Sequence, residues 1–353
     1  MLLGNCPLKP TIQKIPLFLT LLAALPGPIQ AMRAQAISAD ILAELPDFSA
    51  NPDVADFIAS MSAKHGIDGE YLAGLFASIR PNMRVLSLFS PSHLKTPQPP
   101  SWKRYSASFL NKARIDGGNA FWAQNKEALD RAFQQYGVPQ EIIIAIIGVE
   151  TYYGRHTGGF GVMEALATLA FHEPRRADFF RGELEHFLLL ARENGLDPLK
   201  TKGSYAGAIG IPQFMPGSWR RFAIDFDGDG VVDLENSVAD SIGSVANYLS
   251  MHGWQRDQPI AHKIKLRGKP KAEWAEAGML PSLDTKELAG QGVPVPKDAP
   301  DMATLISLPT PGQATEHWLG YGNYYSITRY NRSTFYSMSV VRLAMAIKNQ
   351  KGR

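Results

Sequence analysis

The sequence predicts a mainly α protein of the α+β class, on three features. Residues Ile142 to Val149 are apolar almost without a break, so a helix there has no polar face to offer water and belongs in the middle of its domain. The segments on either side of it carry apolar residues at helical spacing. β-leaning sequence is confined to residues 256–313, which are rich in lysine and proline with short runs such as Ile260 to Leu266. At 353 residues, 45% hydrophobic and 20% charged, the chain is long enough for two or three compact units around a real core.

The expected units are a leader at 1–36, an N-terminal α-helical domain at 37–137, a catalytic core at 138–255, the small β-leaning module or insertion at 256–313, and a C-terminal segment at 314–353 that packs back on the core and the helical domain. The leader has a basic start, an apolar stretch from Ile15 to Leu25, and an A-x-A cleavage site at Ala34-Gln35-Ala36. It predicts export through a cleavable signal peptide, and no segment of the mature chain approaches transmembrane length. Cys6 is the one cysteine and precedes the apolar stretch, whereas a lipid-modified cysteine follows it. The expectation is therefore a protein that is not lipid-anchored and has no disulfides. The formal charge of +3 comes from Lys9, Lys14 and Arg33 in a leader without acidic residues. The remainder balances, which argues against a nucleic-acid partner held by bulk charge.

In the mature chain, Asn51-Pro52-Asp53 opens a helix through Met61, and a second runs from Gly69 to about Ile79, closed by Pro81. Leu94 to Trp102 is a proline-rich linker. Phe121, Trp122, Ala128, Leu129, Ala132 and Phe133 predict one amphipathic helix between Asn119 and Tyr136, its aromatic pair in the core. Pro139 suits the first turn of the apolar helix, which ends on Glu150 followed by two tyrosines and a glycine. A carboxyl group at the end of a buried rod is disfavoured as an anion, which fits it to donate a proton near neutral pH. The plainer alternative is a cap that pairs with Arg155 or another arginine. Glu164 to Phe171 and Phe179 to Glu193 are helical, joined by Glu173-Pro174-Arg175-Arg176. The two arginines face solvent, bind an anionic substrate group, or hold Glu150.

Glycine at 203, 207 and 210 lets the backbone from Lys202 to Pro216 approach a ligand closely, and Ser204 and Gln213 supply neutral donors and acceptors suited to a sugar. Asp225 to Asp233 has the oxygen residues and sharp turn of an EF-hand-like calcium loop. Asn236 stands where a bidentate glutamate is usual, and Asp240 reads as the N-cap of a helix from Ser241 to His252. Calcium there would staple the fold. The end of the chain is dense in tyrosine from Gly320 to Asn331, followed by a last helix from about Thr334 to Lys348.

Taken together, Ile146-Ile147-Gly148-Val149-Glu150-Thr151, Pro174-Arg175-Arg176, Gly203-Ser204-Tyr205-Ala206-Gly207-Ala208, Gln213-Phe214-Met215-Pro216, the acidic loop, Ile242 to Tyr248 and Ile327-Thr328-Arg329-Tyr330-Asn331 resemble the lytic murein transglycosylase B family, the family 3 lytic transglycosylases. The resemblance implies a lysozyme-like catalytic core acting on peptidoglycan, with Glu150 as the lone catalytic acid/base and Ser204 orienting the N-acetyl group. It implies that Tyr105, Gln213, Tyr248, Tyr325, Tyr330 and Asn331 line the saccharide cleft and that Arg175 and Arg176 meet the peptide or carboxylate part of the substrate. It implies structural Ca²⁺ on Asp225, Asp227, Asp229, the Val231 carbonyl and Asn236. The implied partners are glycan strands and periplasmic cell-wall synthesis proteins.

Ordinary glycoside hydrolysis uses two carboxylates. With one, the sugar's own 6-hydroxyl can replace water: the acid protonates the glycosidic oxygen, then as carboxylate takes the O6 proton while O6 closes on C1. The expected product is a 1,6-anhydromuramoyl end. The rival functions are a hydrolytic muramidase and a noncatalytic murein-binding protein stabilised by calcium.

Overall fold

A computed structural model of the chain describes residues 47–89 and 99–352. The leader, its cleavage site, Cys6 and Leu94 to Gln98 of the linker lie outside the described residues.

The N-terminal half is helical: α1 (Pro52–His65), α2 (Gly69–Ala77), α3 (Met83–Phe89), α4 (Trp102–Ser106), α5 (Lys112–Gln124) and α6 (Lys126–Tyr136). The α1 signals work as the sequence predicts, with the Asn51 side chain accepting from the Asp53 N–H and Gly66 closing the helix at φ 62°. The single helix expected from Asn119 to Tyr136 is instead two. Asn125 ends α5 and begins α6, its Nδ2 donating to the Phe121 carbonyl at 2.9 Å, a local bond that competes with continuing the helix. Phe121 and Trp122 are buried as expected.

Then follow α7 (Gln140–Thr151), β1 (Phe160–Gly161), α8 (Val162–His172), α9 (Ala177–Asn194), β2 (Lys202–Gly203), α10 (Pro216–Phe222) and α11 (Val238–Met251). Every residue of α7 from Ile142 to Val149 is buried, so the prediction of a central rod holds. It packs against α5, α6, α11 and the last helix.

The remaining elements are β3 (Ala261–Ile264), α12 (Ala272–Glu276), β4 (Leu283–Asp284), α13 (Thr285–Gly290), β5 (Met302–Leu308), β6 (Glu316–Gly320), α14 (Gly322–Tyr330) and α15 (Thr334–Lys351). The four strands form an antiparallel sheet in the order β3-β6-β5-β4, with Leu305 opposite Leu319 and Ile306 opposite Trp318. The sheet passes residue 313, where the sequence ends the β module, because β6 is needed to pair both β3 and β5. Strand alternation sends Ala303 and Leu305 into a small core with Ile264, Trp274, Leu288 and Tyr321. Ile306, Leu308 and Trp318 point the other way, into the large core shared by all the helical parts. The module thus has its own interior yet is bonded to the body through one sheet face.

Candidate active site

Glu150 occupies the last turn of α7. Directly after it, Tyr152 and Tyr153 adopt left-handed φ of 54° and 64°, conformations that side-chain-bearing residues take only when packing enforces them. Three glycines make the room: a Cβ on Gly148, Gly117 or Gly118 would meet the Tyr153 side chain at 2.7, 2.9 and 2.8 Å. The Tyr153 hydroxyl donates to the Arg114 carbonyl at 2.6 Å. The buried Arg114 guanidinium in turn donates to the Gly148 carbonyl and lies over the Tyr152 ring at 4.7 Å. A cation on the last carbonyls of a helix is favourably placed. The turn that aims Glu150 is therefore held from three sides.

The side chain of Glu150 is half-buried, and its carboxyl accepts a hydrogen bond from the Tyr336 hydroxyl of α15. Burial pushes the carboxyl up to about 7, with the Tyr336 bond pulling the other way. The phenols of Tyr105 on α4, Tyr330 on α14 and Tyr336 are all raised, first by burial and then by the charge of Glu150. Its bonded partner is a phenol and not a guanidinium, so the plainer expectation of a cap paired with an arginine does not describe it; the Arg155 guanidinium lies over Tyr152 instead. Tyr336 is the residue that sequence reasoning missed. It lies one turn into a helix whose signal was apolar packing, and nothing local marks its hydroxyl as aimed at residue 150.

The loop from Gly203 to Pro216 is clamped beside the carboxyl. Thr151 Oγ1 donates to the Ile211 carbonyl at 2.8 Å, and the Tyr330 hydroxyl donates to the Pro212 carbonyl at 2.6 Å. Within the loop the Ser204 hydroxyl oxygen accepts from the Ala206 and Ala208 N–H groups at 3.3 and 3.0 Å. Both lone pairs are used, which leaves its proton to donate outward. Gln213, at φ 54°, gives both amide hydrogens to the Thr157 and Gly210 carbonyls at 2.9 Å each and so presents its oxygen.

The other predicted residues are placed variously. Tyr248 is buried among Phe214, Phe222 and Tyr330, its hydroxyl spent on the Arg329 carbonyl at 2.6 Å. Tyr325 is half-buried on α14, under the Arg329 guanidinium. Asn331 ends α14 with 7% of its surface exposed and its Oδ1 buried without a protein partner. Arg175 pairs with Glu173 through two bonds at 2.7 and 3.0 Å, and Arg176 stacks on Phe179 at 4.2 Å. Those contacts lie in the α8–α9 turn and the first turn of α9.

In the acidic loop, carboxylate oxygens of Asp225, Asp227 and Asp229 lie within 4.8 Å of one another. Three hard oxygens so close suit a calcium ion, which takes six to eight. The loop shape is held by Asp225, which accepts from the Gly228, Asp229 and Gly230 N–H groups. Asn236 turns its amide to Asp233 at 3.0 Å. Asp240 is not the N-cap; Ser237 is, and the Asp240 carboxylate is buried, accepting from the Phe226, Asp227 and Asp233 N–H groups. A residue three positions into the helix reaches back to orphan loop amides that only a buried acceptor can satisfy.

Comparison with known proteins places this architecture. Residues 49–345 match the family model described as Transglycosylase SLT domain. The membrane-bound lytic murein transglycosylase B of Escherichia coli K12 is 41% identical over 309 residues, covering 85% of this chain and 84% of that protein. The crystal structure of the soluble lytic transglycosylase SltB1 from Pseudomonas aeruginosa superposes with a TM-score of 0.77 at 43% identity, covering 86% of this chain and 100% of that one. The E. coli lytic transglycosylase Slt35, solved in complex with calcium, gives 0.78 at 39% identity over 90% of this chain and 99% of that one. By fold, extent and identity, this chain belongs to the transglycosylase SLT domain family, among the lytic murein transglycosylases of the B type.

Proposed function

We propose that this lytic transglycosylase cleaves the β-1,4 bond between MurNAc and GlcNAc in peptidoglycan without water, leaving 1,6-anhydromuramoyl ends, with Glu150 as acid and then base. The observation that carries the reading is a carboxyl at the end of a buried helix that is bonded to the Tyr336 phenol and is in no salt bridge among the described residues, its proton held up to about 7 by burial. A group near 7 is protonated often enough to give its proton to the leaving oxygen and basic enough to take one back from O6. Tyr336 steadies the anion between the two steps. Ser204 donates its free proton to the N-acetyl carbonyl, Gln213 offers its amide oxygen to a sugar hydroxyl or amide hydrogen, and Asn331 backs the cleft from within. Tyr105, Tyr325 and Tyr330 supply ring surface, Tyr248 supports them from behind, and Arg175 and Arg176 meet the peptide side of the strand.

Ca²⁺ would be held by Asp225, Asp227 and Asp229, with the Val231 carbonyl and Asn236 completing the set; bound there it supplies positive charge that cross-links the loop. The protein works in the periplasm on glycan strands, in reach of cell-wall synthesis proteins. Among the described residues no helix is long and apolar enough to cross a membrane. The expectation of an unanchored protein runs against the E. coli relative, which is described as membrane-bound.

The test is digestion of purified sacculi by the wild type and Glu150→Gln, with product masses. Anhydro products from the wild type and none from the variant are expected; hydrated products alone would make it a muramidase, and unchanged turnover by the variant would make Glu150 a bystander.

A further inference from the structure

The β module has no place in the chemistry above, yet the hairpin β5–β6 touches the helix that brings Tyr336 to Glu150 and the two helices that carry Tyr105 and Tyr330. Tyr105 sits on α4, a helix of five residues, far too short to hold its shape alone. Its first free N–H groups are taken from outside: Trp102 N–H donates to the Pro309 carbonyl at 2.8 Å and Lys103 N–H to the Thr310 hydroxyl oxygen at 3.2 Å. Only the third, on Arg104, is satisfied locally, by Ser101 at 3.4 Å. Pro309 and Thr310 lie just past the end of β5.

The start of β6 grips α15, which carries Tyr336. Glu316 bonds Arg342 at 2.7 Å, is held in place by the Trp318 indole at 2.8 Å and Lys263 at 2.7 Å, and the Arg342 guanidinium lies over the Trp318 ring. The two helices also meet each other, Phe335 packing on Trp102 and Tyr105 at 5.6 and 5.5 Å. Tyr330 belongs to α14, which leaves the end of β6 after Tyr321, whose N–H is pinned to the Ile260 carbonyl at 3.0 Å.

We propose that the β5–β6 hairpin is a positioning frame for Tyr336, which bonds the acid, and for Tyr105, which packs on Phe335 next to it, and that Thr310 and Glu316 are positioning residues for the reaction, acting through Tyr105 and Tyr336. The inference rests on Glu150 being the acid/base. It gives the module a task that its own core does not explain: one sheet edge is tied to the helix whose Tyr336 hydroxyl bonds Glu150 and to the helix whose Tyr105 packs on Phe335 beside it.

The experiment measures initial rates on a soluble GlcNAc–MurNAc oligosaccharide for Thr310→Val, Thr310→Ser and Glu316→Gln, with melting temperatures alongside. Valine keeps the shape and removes the acceptor; serine restores it. Thr310→Val is expected to lower kcat about 10-fold, inside the range that a remote displacement of catalytic geometry can cost, with KM nearly unchanged and serine restoring the rate. In the pair Thr310→Val with Tyr105→Phe, the second substitution should add little to the first, since both act through one phenol. Full kcat in Thr310→Val, a serine variant as slow as valine, or losses that multiply in the pair would overturn it. Should Thr310→Val fail to fold, Glu316→Gln carries the test through the same kcat and its coupling to Tyr336→Phe. Full activity in Glu150→Gln sinks the underlying reading, whereas an inactive Glu150→Gln beside a fully active Thr310→Val sinks only the frame.

Discussion

Two groups of carboxylates meet at one residue of this molecule and could hardly be treated more differently. Ile211 gives its carbonyl to Thr151, next to Glu150, and its N–H to the Leu234 carbonyl of the acidic loop at 2.8 Å. On one side stands a single half-buried carboxyl with a phenol as its partner and its proton held up to about 7. On the other, Asp225, Asp227 and Asp229 crowd together near the surface, with backbone N–H groups bonded to Asp225 and Asp229. The same functional group is pushed toward its protonated form where burial withdraws solvent and is clustered as the anion where solvent and amides are plentiful. Environment, rather than residue type, divides the labour.

The sharpest way to break the comparison is to neutralise the lone member. Glu150→Gln keeps the shape and the contact with Tyr336 and removes the titrating proton. General acid–base catalysis is worth about 10²–10⁴-fold, and anhydro-product release should fall by that order with the fold intact. A loss below about tenfold would mean that another group moves the proton.

The opposite side is probed by chelation. Adding EDTA in excess should lower the melting temperature and restoring Ca²⁺ should recover it, because an ion bound only by the folded loop stabilises by mass action, about 2.7 kcal/mol at a hundredfold excess over Kd. Activity should fall with it only partly, transmitted through Ile211 to the loop that carries Ser204 and Gln213. Identical melting curves with and without the ion would remove calcium from the acidic loop.

A finer cut separates geometry from electrostatics at the acid itself. Tyr336→Phe takes away the hydrogen bond that favours the Glu150 anion, so the carboxyl should rise further. The alkaline limb of the rate profile, where the acid loses its proton, should then move to higher pH while kcat drops roughly tenfold for want of one charge-assisted hydrogen bond. A limb that stays in place would show that the phenol only packs.

How much of this could be read from the chain alone differs between the two sites for a physical reason. The acidic loop is local: its carboxylates follow one another from Asp225 to Asp233, and its glycines announce the turn. Even there the position of Asp240 suggests a cap, since nothing in the sequence shows that its carboxylate faces back across the loop. Glu150 was legible because eight apolar residues before it demand burial. Its phenol partners were legible only where the family resemblance supplied them, as with Tyr105 and Tyr330; Tyr336, about 190 residues downstream, is a contact made by tertiary packing that no spacing rule encodes. The break at Asn125 was hidden because the apolar spacing runs on through it while the side chain bonds its own backbone. Composition outlines the β module but assigns β6 to the following segment, because Pro311-Gly312 reads as the end of the module when it is the turn of a hairpin.

The smallest effect is the most discriminating, because it shows in stability rather than rate. A carboxyl whose folded pKa lies near 7, above its ordinary 4.5, favours the native state only while protonated. That contribution is fully present below about pH 4.5 and is lost as pH rises through 7, where the wild type must hold a desolvated anion. Glu150→Gln carries no such burden, so its melting temperature should match the wild type near pH 4.5 and exceed it by pH 8. The gap should be on the order of 1–3 kcal/mol once the partial exposure of the residue is allowed for. The sign is the opposite of what a structural ion pair would give: breaking a pair destabilises most at neutral pH, where both partners are charged. Melting curves for the two proteins across that window distinguish an acid kept for chemistry at a cost to the fold from a carboxylate kept for the fold, and parallel curves would place Glu150 with the second kind.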